Sequence, residues 1–340
     1  MIFDEFKHII AESITGYLKK CDVDEIRLID ITKNNDTKKT GIIVMEKNES
    51  ISPAIYLEDY FVGYQEGQDL EDILLDIATC YEESKQRGKI IYERDYNDLM
   101  DYEKIKDQVI VRAVGLEKNQ EYLADKIYDV KNDMALVYFI IVEKEESNIQ
   151  TCAIHQGMLN KYGVSKNEIS ELAMENTQRL FPPTLKSMED VLNEVLLPDY
   201  QADHKSFEQS LCEMSETGVG NMPCMLILSN NDCINGATTM FYPDILATIT
   251  KELGTDVYVL PSSVHECILV PKNGAIQETE LISMVREVNA TQVADQEVLT
   301  NHAYEYCREV GELTRVGQEK VKEQEPVEVN RAARKNIRNR

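Results

Sequence analysis

At 340 residues the chain exceeds the length at which one hydrophobic core stops growing, so two or three packed units are expected. Hydrophobic residues at 43% against 29% charged ones describe a globular balance and exclude a largely disordered chain. The formal charge is -25, and residues 331–340 hold five basic groups and no acid, so the body before them is more acidic still and is excluded from binding nucleic-acid backbone or anionic membrane.

Phe3, Phe6, Ile10, Ile14 and Tyr17 recur at helical spacing and predict an opening amphipathic helix. Strands are expected over Glu25–Thr32 and Gly41–Glu46, joined by the polar loop Lys33–Lys39. A second helix is expected from Ser52, with Pro53 in its first turn and Ile51 stapled onto Tyr56, so that Tyr56, Tyr60 and Tyr64 share a face. Gly67 ends it, and Asp69 caps another helix whose Leu70, Ile73, Leu74 and Ile77 turn inward. The polar stretch Lys85–Asp107 is expected to hold the first internal boundary.

Gln108–Ala113 reads as a strand, and Met134–Val142, MALVYFIIV, as a buried central strand paired with Asn148–Ile154. Ser165 and Glu168 make a capping box that opens a helix with Ile169, Leu172, Ala173 and Leu180 inward, stopped by Pro182 and Pro183. Met188, Val191, Leu192, Val195 and Leu196 predict a further helix before Pro198.

Strands are expected over Cys224–Leu228 and Ile234–Met240 around a Ser229–Asp232 turn. A helix follows from Pro243 to Leu253, with Gly254 as its left-handed exit. Val257–Leu260 and Val264–Val270 read as strands around the bend Pro261-Ser262-Ser263. A helix over Glu278–Asn289 buries Leu281, Val285 and Val288, and His302–Cys307 is expected as a last edge strand. The fold class is α+β, with antiparallel or mixed sheets flanked by amphipathic helices. The expected units are 1–90, 91–200 and 201–316, with 317–340 a linker and disordered basic tail.

Chemistry is sparse. Eight Cys residues never approach closer than nine positions, which argues for reduced, mostly buried thiols and against a zinc pair. The five His residues are scattered, and Gly218-Val219-Gly220 lacks the remainder of a phosphate loop, so no metal and no cofactor is expected. No leader or membrane span is expected, which points to the cytoplasm. His265 and Glu266 do not make a zincin motif, and on a strand they point to opposite faces, so a direct dyad is excluded there. Ser262 and Ser263 lack a nucleophile elbow.

The strings SPAIYLEDYFVGYQEG (52–67), MALVYFIIV, GVSKNEISELAMENT (163–177), LPSSVHECILVP (260–271) and VLTNHAYEY (298–306) together resemble a bacterial family of unknown function common in anaerobic gut clostridia. The resemblance spans nearly all of residues 1–310 and implies kinship without an activity or site residues. The "ELAxEN" helix after an apolar strand is also similar to a second uncharacterised bacterial family. Two readings follow. In the first, the protein is a non-catalytic cytosolic interaction protein, linked to a mobile element or defence locus, with a protein partner chosen by its negative field. Nucleic acid is then a partner only through Arg331, Arg334, Lys335, Arg338 and Arg340, and the membrane is none. The second is a hydrolase-like enzyme with a site near Pro261–Glu266, using His265, Glu266, Ser262 and Ser263.

Overall fold

The computed structural model describes residues 1–19, 21–47, 52–93, 96–144, 149–197, 205–216, 225–261, 263–274 and 276–317. Helix α1 (Phe3–Ser13) leads into strands β1 (Val23–Thr32), β2 (Lys38–Glu46) and β3 (Ala54–Tyr56), and then helices α2 (Glu58–Gln65) and α3 (Leu70–Glu93). The three strands form one antiparallel sheet in chain order. Phe6 and Ile10 of α1 meet Ile42, Val44 and Ile55 of the sheet and Ile73, Ile77 and Tyr81 of α3 in a core of their own. Phe6, Phe61 and Tyr64 add tilted ring contacts at 5.3–5.7 Å.

Two expectations fail in this unit. Residues 54–56 are a strand, because their backbone pairs with Gly41–Ile43 and the Ser52 hydroxyl donates to the Val44 carbonyl instead of capping a helix. Tyr56 therefore leaves the helical row that Tyr60 and Tyr64 keep on α2. Helix α3 runs on through Lys85 to Glu93.

The middle of the chain holds α4 (Tyr96–Leu99), α5 (Tyr102–Ile105), β4 (Val109–Gly115), α6 (Gln120–Leu123), β5 (Tyr128–Lys131), β6 (Met134–Lys144), β7 (Ile149–Ala153), α7 (Gln156–Tyr162) and α8 (Lys166–Leu180). The apolar run is the central strand β6, paired with β4 on one side and with β5 and β7 on the other. Ser165 accepts from the Glu168 N–H at 3.2 Å and Glu168 accepts from the Ser165 N–H at 2.7 Å, which closes the capping box of α8.

Strand β8 (Pro183–Ser187), α9 (Met188–Leu196), α10 (Phe207–Glu216), β9 (Leu226–Asn230), α11 (Ile245–Leu253), β10 (Val257–Leu260), β11 (Cys267–Pro271), α12 (Glu278–Thr291), β12 (Tyr304–Cys307) and β13 (Glu312–Arg315) complete the chain. The last sheet runs β13-β12-β10-β11-β9-β8, and all strand pairings in the three sheets are antiparallel. The fold is α+β. One core runs from Ile105 through Ile140 and Leu228 to Tyr306, so the second and third sheets share an interior. The edge of β4 faces the last sheet without pairing to it. Its Val111 N–H donates to Thr177 Oγ1 at 2.9 Å and its Ala113 N–H to Thr238 Oγ1 at 3.0 Å, so two hydroxyls finish the ladder.

Further corrections concern this half. Gly236–Phe241 is a buried 3-10 turn and not a returning strand, because the segment must pass under β9 at a distance only a glycine allows. Strand β12 is interior, since β13 takes the edge. Among the described cysteines only Cys267 is buried, while Cys212 and Cys233 are exposed, so the thiols are not mostly buried.

Candidate functional site

The turn that carries the sequence's most distinctive string is braced from three directions. Strand β9 ends at Asn230, whose Oδ1 accepts from the N–H groups of Asp232 (3.1 Å) and Ile234 (3.3 Å) while Nδ2 donates to the Ile234 carbonyl (2.8 Å). That side chain organises the loop and lets Cys233 and Asn235 adopt left-handed backbone. The loop then presents Gly236 against the opposing bend. A Cβ there would stand 2.4 Å from the His265 carbonyl oxygen and 2.1 Å from Ser229 Oγ. Ser229 Oγ donates to the same carbonyl at 2.7 Å, Ala237 N–H donates to Val264 O at 3.1 Å, and Val264 N–H donates to Glu297 O at 2.8 Å.

His265 precedes β11 and is not on a strand, because the backbone groups of Val264 and the His265 carbonyl are spent on these contacts. Its ring is partly exposed, with 37% of the side chain open, and Nδ1 accepts the Asn235 N–H at 3.3 Å. An accepting Nδ1 puts the proton of the neutral ring on Nε2, which sits 3.9 Å from a Glu297 carboxylate oxygen. Ser263 Oγ accepts the His265 backbone N–H at 3.0 Å and not a proton from or to the ring. Glu266 is half-buried and has no hydrogen bond to His265. Ser262 lies outside the described residues, as do Arg331, Arg334, Lys335, Arg338 and Arg340. His265, Ser263 and Glu266 are thus neighbours in sequence whose side chains are not assembled for proton transfer.

A second polar cluster escaped the sequence reading. Asn132 and Asp133 make the hairpin tip between β5 and β6, with Asn132 in the left-handed region. The Asp133 carboxylate receives the Tyr304 hydroxyl on Oδ1, and His302 Nδ1 (2.5 Å) and Thr300 Oγ1 (3.0 Å) on Oδ2. Burial alone would raise the Asp133 pKa, but the donated bonds from Tyr304, His302 and Thr300 outweigh it and hold the carboxyl below its usual value. Burial, with the bond to Asp133, pushes the Tyr304 phenol up. Close by, Asn35 and Asn119 exchange two hydrogen bonds, and Asn35 Nδ2 donates to Asp295 O and Val298 O. Asp36 accepts the Glu121 and Tyr122 N–H groups and so caps α6 from another sheet. The tips of two hairpins and the approach to β12 meet here. It is a lock between the three sheets. No sequence signal could link Asp133 to His302, because the pairing depends on the fold.

The third feature is on α9. Ser187 Oγ caps it by accepting the Asp190 N–H at 3.0 Å. Its apolar row lies open: Leu192 is 50% exposed, Val195 76% and Leu196 70%, and Leu197 beyond the helix is 50% exposed. Glu189, Asp190 and Glu194 stand on the same helix, with Glu194 paired to Lys186 at 2.7 Å.

Among the described residues no group of three or more His, Cys, Asp or Glu side chains is placed to hold a metal ion, and no helix is long and apolar enough to cross a membrane. No curated protein and no solved structure is similar enough to the chain to count as a match. A family model described as Family of unknown function (DUF5688) matches residues 3–308. With nearly its whole length covered, the chain belongs to the DUF5688 family.

Proposed function

We propose that this is a non-catalytic interaction protein of a bacterial cytoplasm, which docks a partner protein on the apolar face of α9. The exposure of Leu192, Val195, Leu196 and Leu197 carries the reading. Three large apolar side chains on one helix end, with Leu197 just past it, are more than the scattered single exposures of an ordinary surface. Rows at this spacing are the anchors used when a helix lies in a partner's apolar groove. Glu189, Asp190 and Glu194, on a chain of charge -25, favour a groove rimmed by Lys and Arg. The braced His265 supports the same reading, because its ring nitrogen toward the loop is occupied by the Asn235 N–H.

The test is affinity capture from the native host with the full chain and with a Val195→Glu/Leu196→Glu double variant, followed by binding of the captured protein in purified form. The expected result is a partner of basic surface whose binding weakens with salt and is lost in the double variant. Equal binding by both chains overturns the proposal. So does concentration-dependent self-association of the wild type by sedimentation that the double variant abolishes, since a second copy would then cover the face.

A further inference from the structure

Strand β5 and one face of α8 border an open groove of about 690 Å³, a volume in the range of ligand and short-peptide sites. Leu136, Met174 and Phe241 give it an apolar lining, and Asp129, Val130 and Lys131 form the β5 side. Across from them Glu171 and Glu175 stand one helical turn apart on α8, both exposed. Asp129 is committed to Lys166 at 2.6 Å and to the Ser170 and Tyr138 hydroxyls. Among the described residues neither Glu171 nor Glu175 has an ion pair.

A free backbone edge lies beside this groove. Strand β5 ends its sheet and pairs with β6 alone. Tyr138 N–H donates to Ile127 O, so by the alternation of an antiparallel ladder the backbone groups of Asp129 and Lys131 turn toward β6 and those of Tyr128 and Val130 turn away from it. Val130 is 55% exposed. Such an edge takes an extended segment as an added strand.

A segment of matching chemistry is close at hand. Residues 331–340 hold five basic groups, no acid and one large apolar side chain, Ile337. Asn132, next to Lys131 of the groove, donates from Nδ2 to Leu313 O at 3.1 Å, and the described chain ends four residues later at Gly317. Gly317 therefore lies within roughly 25 Å of the groove by chain geometry, while the thirteen residues 318–330 span up to roughly 45 Å. A segment tethered in this way meets its seat at about millimolar effective concentration, so weak contacts suffice.

We propose that the groove between β5 and α8 is the seat of the chain's own basic segment 331–340, laid along the β5 edge in cis. Ile337 then covers part of the apolar lining, and the Arg and Lys side chains offset Glu171 and Glu175. Helix α9 contributes no residue to the groove, so this contact is separate from the partner docking argued above.

The test follows exchange of the Val130 amide by NMR at low salt in three full-length chains: the wild type, Arg334→Glu/Lys335→Glu/Ile337→Asp and Glu171→Lys/Glu175→Lys. Both variants are expected to exchange that amide about fivefold faster or more than the wild type, with the central β6 amides unchanged. Equal Val130 exchange in the wild type and either variant overturns the proposal. So does protection that rises with protein concentration, since the segment would then lie on a second copy. Binding of duplex DNA through 331–340 by a wild type whose Val130 amide is unprotected also overturns it and assigns the segment to nucleic acid.

Discussion

The Asp133 carboxylate lies 2.5 Å from His302 Nδ1, joining the tip of the β5–β6 hairpin to the start of β12 across 169 residues of chain. Thr300 and Tyr304 donate to the same carboxylate, so its removal strands three donors at once. Asp133→Asn is expected to cost about 1–3 kcal/mol near neutral pH. The carboxyl is held below its usual value, so its contribution is present above the unfolded pKa and is lost as pH falls through the folded one. Urea midpoints of wild type and variant should therefore differ near neutral pH and converge as the pH falls below the ordinary carboxylate range. A gap that persists undiminished into strong acid would remove the carboxylate from the explanation.

Gly236 is fixed by contact and not by dihedral freedom. An added Cβ would stand 2.1 Å from Ser229 Oγ, 2.4 Å from His265 O and 2.9 Å from Asn230 N, two of which are backbone atoms that cannot swing away. Gly236→Ala is expected to destabilise by about 3 kcal/mol or more. It should also displace the His265 ring, which hangs on the neighbouring Asn235 N–H. Thermal unfolding and the His265 ring signals by NMR give both readings. An unchanged midpoint with unmoved ring signals would contradict the close packing of this turn.

Thr177 and Thr238 finish the free edge of β4, and each is buried. Replacement by Val keeps the shape and removes the acceptor, leaving a buried N–H without a partner. Thr238→Val is expected to cost about 1–3 kcal/mol and to speed exchange of the Ala113 amide; Thr177→Val does the same for Val111. Protection of the flanking Arg112 amide serves as the internal control. If both amides keep their protection in the single variants, the hydroxyls are not the ladder's end.

Local signals in the sequence were read correctly where the competing forces are also local. The α8 capping box, the Phe3–Ile14 stripe and the left-handed Gly254 exit each depend on residues a few positions apart. Ser52–Tyr56 carried an equally good helix start, but pairing with Gly41–Ile43 satisfied more backbone than a cap would. Ile234–Met240 has the composition of a strand, and its turn is imposed by contacts with β9 and His265 that no pattern reveals. The same holds for the Asp133–His302 lock, which is visible only once its surroundings are assembled. The row on α9 was legible as helix, but periodicity reports which face is apolar and not whether anything covers it.

That distinction gives the last prediction. A row of Leu and Val that supports the fold would be expensive to charge, whereas one waiting for a partner would not. Val195 is 76% exposed on a helix whose described residues include none that is buried. Val195→Glu also replaces a β-branched residue with a better helix former. The variant is therefore expected to unfold within about 0.5 kcal/mol of wild type, on either side. Leu281→Ala, at a fully buried position of α12, is expected to cost about 2–5 kcal/mol in the same urea titration and shows that the assay resolves a core loss. A loss above about 1.5 kcal/mol for Val195→Glu would mean that this face is already packed, and the docking surface would have to be sought elsewhere.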